Sequence, residues 1–164
     1  MITNPEIEKL CTNICDSYLQ LSGSPILETS CPDLPEALYN AKFILIAHGT
    51  EVDPIFNFAN LEAQKLWEMD WNEFTRMPSR LSAPENLRAG RQKLLDQASS
   101  GNIITGFNGV RVSRTGKLFE IRDVTLWNVF DSENQPAGQA AKFSPEQVLP
   151  LPADTNRTTH TRTT

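Results

Sequence analysis

The sequence has no apolar run near the roughly 18 residues that a membrane-spanning helix needs. Its first ten residues, MITNPEIEKL, lack the basic region and apolar stretch of a signal peptide. A soluble, cytoplasmic protein with no membrane partner is therefore expected. Positive charge is in deficit: 15 lysines and arginines against 20 acids leave a net charge of −5, which speaks against a general nucleic-acid binder. Histidine is nearly missing, with His48 and His160 alone, so imidazole-based nucleophilic catalysis has little to draw on. No glycine loop able to cradle a phosphate is present, and no helix carries metal-ligand spacing.

Cysteine is also scarce. Cys11, Cys15 and Cys31 all fall in the first fifth of the chain, and an odd number without a secretion signal fits reduced thiols better than a disulfide framework. With His48 they make up a four-ligand set of the kind zinc uses. Their spacing is irregular, however, and Cys11 sits on the apolar face of an expected helix, where cysteine acts as a small hydrophobe. No metal site is expected.

What is present suits one folded unit: 164 residues, 39% of them hydrophobic, can bury about 70% of the surface that the unfolded chain exposes. Charge is uneven. Residues 1–75 carry a net −9, residues 76–122 a net +6 and the remainder −2. Complementary halves within one fold account for this pattern, and so does a basic segment facing an anionic ligand.

The periodicity gives the elements. Thr3 and Glu6 make a capping box for a helix over residues 3–21, whose apolar stripe is Ile7, Leu10, Cys11, Ile14, Tyr18 and Leu21, with Gly23 past its end. Asp33 and Glu36 open a short second helix. A continuous apolar run from Phe43 to Ala47 and a second from Ile55 to Ala59, with turn residues between, read as a strand hairpin. Asn60 caps a helix with Ala63, Leu66 and Trp67 on its buried face, Asp70 and Glu73 start another turn, and Ser82 with Glu85 opens a longer helix that contains Gly90 and closes near Gly101. Three strands follow. The first, Ile103–Ser113, contains Gly106 and Asn108-Gly109 and is read as one bulged strand. The second, Leu118–Phe130, places Phe119, Ile121, Asp123, Thr125, Trp127 and Val129 on one face by simple alternation. The third is Gly138–Phe143. Residues 144–164 are expected to be a disordered tail.

This order predicts an α+β, PAS-like fold: a five-stranded antiparallel sheet with helices on one face, plus an N-terminal helix. Residues 1–32 form the first helix and a linker, and residues 33–143 the core. A ligand would sit in the hollow between sheet and central helices.

Particular strings carry a resemblance. PIFNFAN (54–60), AQKLWE (63–68), MPSRLSA (77–83), GVRVS (109–113), Gly116-Lys117 with Phe119 and Ile121, Trp127-Asn128 and GQAAKF (138–143) together resemble the MEKHLA domain over about residues 1–143. The resemblance implies a PAS-like sensory or interaction module. In plants this domain ends class III homeodomain leucine-zipper transcription factors, where it is associated with control of dimerisation; bacterial members are often stand-alone, the type this chain resembles. A light-sensing flavin domain of PAS type takes a cysteine, and a haem sensor a histidine, from the helical region between strands two and three. Residues 60–101 contain neither, so the cysteinyl-flavin and haem types are disfavoured and the cofactor stays undetermined.

The expected ligand contacts are polar and aromatic residues turned toward the hollow. Arg80, Arg91 and Arg111 would converge on a small anion, since guanidinium forks suit carboxylate and phosphate. The alternative is that Glu68 neutralises one of them in a structural ion pair, the reading slightly favoured over the ligand. His48, Asn128 and Gln139 are further polar candidates, and Trp67, Phe74, Phe107 and Trp127 aromatic ones. The favoured function is a non-enzymatic binding module; the alternative is a small enzyme built on His48 and the three arginines. A homodimer through helix 3–21 is expected, because its stripe would otherwise be exposed.

Overall fold

The computed structural model of the chain describes residues 3–28, 30–84 and 102–152. Helix α1 (Pro5–Ser22) and helix α2 (Leu34–Tyr39) precede strands β1 (Ile44–His48) and β2 (Phe56–Ala59). Helices α3 (Leu61–Trp67) and α4 (Trp71–Phe74) and a 3-10 turn (Ser79–Ser82) follow. Strands β3 (Ile103–Val112), β4 (Leu118–Phe130) and β5 (Pro136–Phe143), a second 3-10 turn (Pro145–Gln147) and β6 (Val148–Pro150) complete the order. The expected long helix after Ser82, with Gly90 and Arg91, lies outside the described residues. The strands form one antiparallel sheet in the order β2-β1-β5-β4-β3, with β6 paired to β4.

Local chemistry sets most of the boundaries. Asn4, not Thr3, caps α1: its side chain accepts the Ile7 N–H at 2.9 Å, and Pro5 follows at the first helical position, where its fixed φ and missing N–H cost nothing. Gly23, with φ 79°, closes the helix. Asp33 and Asn60 accept the N–H groups of Glu36 and Ala63, and Asp70 with Glu73 forms a complete capping box.

Both faces of the sheet are covered, which explains why β1 is apolar at consecutive positions. Ile44 and Ile46 join Phe56, Trp67, Phe74, Phe119 and Phe143 in a cluster beneath the central helices. Leu45 and Ala47 join Cys11, Ile14, Phe58, Trp127 and Val129 in a second cluster beneath α1. The stripe of α1 is thus used against its own sheet. Cys11 and Ile14 are fully buried, Trp127 Nε1 donates to the Ile14 carbonyl at 3.3 Å, and the Ser17 hydroxyl accepts the Phe130 N–H at 2.8 Å. The stripe on which pairing through helix 3–21 is expected to rest is thus largely taken up within one chain, with Ile7, Leu10, Tyr18 and Leu21 partly buried against this second cluster.

Two further expectations are corrected. Strand β4 does not keep one face. Asp123 takes φ 54°, and from there the alternation slips by one residue: Phe119, Ile121 and Val124 face the central helices, whereas Trp127 and Val129 face α1. A bulge of one residue exchanges the faces of everything beyond it. Opposite it, β3 is one bulged strand as expected, with register shifts on both sides of Phe107. The tail does not start at Ser144. Strand β5 pairs with β4 only over Thr125–Phe130, which leaves the first half of β4 with an open edge. β6 fills it, pairing Val148, Leu149 and Pro150 with Ile121, Glu120 and Phe119. Pairing an exposed edge satisfies backbone groups that water would otherwise have to reach.

Candidate functional site

The hollow lies between the sheet and the segment that carries Ser82. Its walls are Ile46, Phe56, Phe107, Ile121, Val124, Leu126, Ala141 and Phe143, and its polar groups come from His48, Ser82, Arg111 and Gln139. Its volume is about 40 Å³, room for about three water molecules or a group the size of a carboxylate at roughly 10–15 Å³ each.

Each polar group has a structural reason for its position. His48 ends β1 at 8% exposure, and its Nδ1 lies 2.9 Å from the Gly49 carbonyl. Arg111, also 8% exposed, folds back along β3: its Nη1 donates to the Val110 carbonyl at 2.7 Å, and its guanidinium carbon stands 5.5 Å from the centre of the Phe107 ring. Gly109 makes this fold-back fit, since a Cβ there would come within 3.0 Å of Nη1 and 2.8 Å of the Phe107 ring. Gln139 stands opposite His48 on one side and Asn128 on the other. Its amide donates to Asn128 Oδ1 at 2.9 Å, and the Asn128 amide donates to Asn102 Oδ1 at 3.2 Å. A row of polar side chains therefore crosses β1, β5 and β4 to the start of β3.

The structure gathers four of the expected residues around the hollow, His48, Phe107, Arg111 and Gln139, with Asn128 one hydrogen bond behind. The others go elsewhere. Trp67 and Phe74 are fully buried in an edge-to-face stack with Phe119 and Phe143 and belong to the core. Trp127 lies on the opposite face, edge-on to Tyr18 at 4.9 Å, a consequence of the Asp123 bulge. Arg80 is exposed and pairs with Asp53 at 3.2 Å. Arg91 lies outside the described residues. The three arginines thus do not converge among the described residues, and the enzyme alternative loses Arg80.

Among the described residues Glu68 meets no arginine. It ends α3 at φ 60° and reaches the turn between β3 and β4. There it accepts hydrogen bonds from the Thr115 hydroxyl, from Lys117 Nζ at 2.9 Å and from Ser113 Oγ at 2.8 Å. These donors, Thr115 foremost, hold its carboxyl down from 4.5 to about 2. A group whose pKa falls on folding stabilises the fold above its unfolded pKa and loses that contribution as pH drops toward the folded value. Glu68→Gln is accordingly expected to melt below the parent at neutral pH. The gap should close between about pH 4.5 and 2; thermal melts across that range check it, and a gap independent of pH would remove the carboxylate from the explanation.

The cysteine set does not assemble around His48. Cys11 and Cys15 belong to the cluster under α1, where burial pushes both thiols up to about 12, unlike the thiolates that metals bind. No three histidine, cysteine, aspartate or glutamate residues form a metal-binding group among the described residues. Ser82, Val124 and Leu126 were missed as lining residues. For Val124 and Leu126 the one signal was an aspartate in mid-strand, a type depleted in strands and tolerant of positive φ.

Comparison with known proteins agrees with this geometry. The model of the MEKHLA domain matches residues 8–147. No curated protein matches the sequence. Among solved structures, the PAS domain of a protein from Colwellia psychrerythraea superposes with a TM-score of 0.58 at 9% identity, covering 66% of this chain and 91% of that one. An RNA-binding Light-Oxygen-Voltage receptor gives 0.60 at 15% identity over 74% of this chain and 36% of its own length. The Rhodobacter sphaeroides LOV protein gives 0.55 at 11% over 74% and 66%. At these identities the likeness shows the fold: a PAS/LOV-like antiparallel sheet with helices and an N-terminal helix. No helix among the described residues is long and apolar enough to cross a membrane.

Proposed function

The chain belongs to the MEKHLA domain family, and from that premise we propose that it is a sensory or interaction module whose hollow takes a small anionic metabolite and whose readout is association with a protein partner. The observation that carries the reading is Arg111, a guanidinium 8% exposed on the wall of an apolar hollow. A charge held there on packed neighbours suits a planar anion, because paired N–H donors match a carboxylate and the surrounding apolar wall strengthens the attraction. His48 and Gln139 supply further polar contacts beside it.

Some structural neighbours are Light-Oxygen-Voltage proteins, and the cofactor chemistry of that class can be tested on the residues here. No cysteine is among the residues lining the hollow, and the thiols of Cys11 and Cys15 lie across the sheet. A cysteinyl-flavin adduct does not fit this chain.

Native mass spectrometry of the freshly purified chain, followed by thermal shift with a panel of mono-, di- and tricarboxylates, tests the proposal. A retained or stabilising anion is expected. Arg111→Gln should weaken its binding by at least about tenfold, equivalent to about 1.4 kcal/mol, while Arg80→Gln should leave it unchanged. Undiminished binding in Arg111→Gln, or no stabilisation of the parent by any member of the panel, would overturn the anion reading.

A further inference from the structure

The side of the sheet away from the hollow is covered unevenly. Helix α1 lies over the second half of β4, where it bonds Trp127 and Phe130. Before the Asp123 bulge, β4 turns Leu118, Glu120 and Arg122 to this side, because Phe119 and Ile121 face the central helices. Their cross-strand neighbours extend the surface in two rows. Val110, Glu120 and Leu149 form one, from β3 through β4 to β6. Val112 and Leu118 form the other, continued by Leu151, whose N–H donates to the Leu118 carbonyl at 3.0 Å. Among the described residues, none of the five apolar side chains in these rows packs against either core cluster, and Leu149 is 38% exposed. One charge pair stands in the strip: Arg122 Nε donates to Glu120 Oε1 at 2.5 Å. Among the described residues the Nη groups of Arg122 and Oε2 of Glu120 are left without a partner. The chain past Pro152 has little to lay on the strip, since residues 153–164 hold a single apolar residue, Ala153.

We propose that this strip pairs two copies of the chain, face to face about a two-fold axis, with the guanidinium fork of Arg122 in each copy on the open Glu120 carboxylate oxygen of the other. A two-fold axis brings one patch onto itself, so a strip with one acid and one base two residues apart on a single strand meets its own complement. The apolar rows drive association by leaving water. Two carboxylates and two guanidiniums then close into one set, which keeps every charge that is buried paired. An apolar strip alone would pair in many registers; Glu120 and Arg122 select one. The inference rests on the association half of the proposed function, naming a second copy as the partner, and is independent of what the hollow holds on the opposite face.

Sedimentation velocity of the full chain is expected to show a monomer–dimer equilibrium at concentrations up to about 100 µM. Glu120→Arg and Arg122→Glu each set like charges against one another across the axis and should weaken pairing by at least about tenfold. Mixed in equal amounts, the two variants should pair again, a doubly basic strip on a doubly acidic one, which a purely structural role for either residue would not give. Leu149→Asn is an uncharged route to the same weakening, and circular dichroism melts check that each variant folds. A parent that stays monomeric over the whole range, variants that pair as the parent does, or a mixture that stays monomeric would overturn the proposal. Thermal shift with the carboxylate panel keeps the two readings apart: an anion that stabilises a monomeric parent would sink the pairing alone, and a dimer that no anion stabilises would sink the anion reading alone.

Discussion

Replacing Asn60 by leucine is expected to lower the thermal midpoint by about 12 °C, the shift that roughly 4 kcal/mol produces in a domain of this size. The side chain is fully buried and every part of its amide is used. Oδ1 accepts the N–H of Leu45 at 3.1 Å and of Ala63 at 3.2 Å; Nδ2 donates to the carbonyls of Phe43 at 2.7 Å and Leu38 at 3.2 Å. One residue thus caps α3, fixes the start of β1 and closes the end of α2. Leucine removes the cap, worth about 1 kcal/mol, and strands buried backbone donors and acceptors at about 1–3 kcal/mol each. Asn60→Asp separates the two halves of the effect. It keeps both acceptors but turns a carboxylate toward the Leu38 and Phe43 carbonyls, so at neutral pH it should recover little. Melting of Asn60→Leu within about 3 °C of the parent would show that water replaces the amide, against this account.

Gly138→Ala is expected to cost about 3 kcal/mol or more, and hence about 9 °C. Two independent causes act at the same position. Gly138 has φ 135°, a region that residues with a Cβ avoid, and an added Cβ would stand 1.9 Å from the His48 carbonyl oxygen and 3.3 Å from the Gly49 Cα. Those neighbours are backbone and cannot swing away as a side-chain end can. Gly23→Ala provides the comparison, since Gly23 has φ 79° but nothing within 4 Å. It isolates the conformational part, about 1–2 kcal/mol. If the two variants melt alike, close approach of β5 to the end of β1 contributes nothing. The overlap also falls where His48 and Gln139 stand side by side. Gly138→Ala should therefore weaken anion binding beyond what its lower stability explains.

Several features of this protein are readable from local sequence because local chemistry causes them. Asp33, Asn60 and Asp70 each precede a helix that their side chains cap. The unbroken apolar run at the centre of β1 is a strand, and its lack of alternation reflects cover on both sides. Gly106 marks the bulge of β3. Part of the site was equally visible: Arg111, Phe107, His48 and Gln139 line one hollow. The misplacements share one origin. Counting twos along β4 puts Trp127 on the face of Phe119 and Ile121, and a single residue at positive φ, Asp123, makes that count wrong from there on. Glu68 and Arg80 were matched by charge alone. Their partners, Lys117 with Ser113 and Thr115 for one and Asp53 for the other, depend on which loops the fold brings near.

The chain alone thus determined the identity and order of the described elements from α1 to β5 and the caps of α2, α3 and α4, which follow from interactions within a few residues, and that order pointed to the antiparallel PAS-like plan. Tertiary structure decided which side of the sheet each β4 residue faces, how α1 is spent, that β6 closes the open edge of β4, and which charge meets which. Strand facing has a period of two and inverts with one inserted residue, and ion pairs form between segments distant in sequence; neither is encoded in a local window.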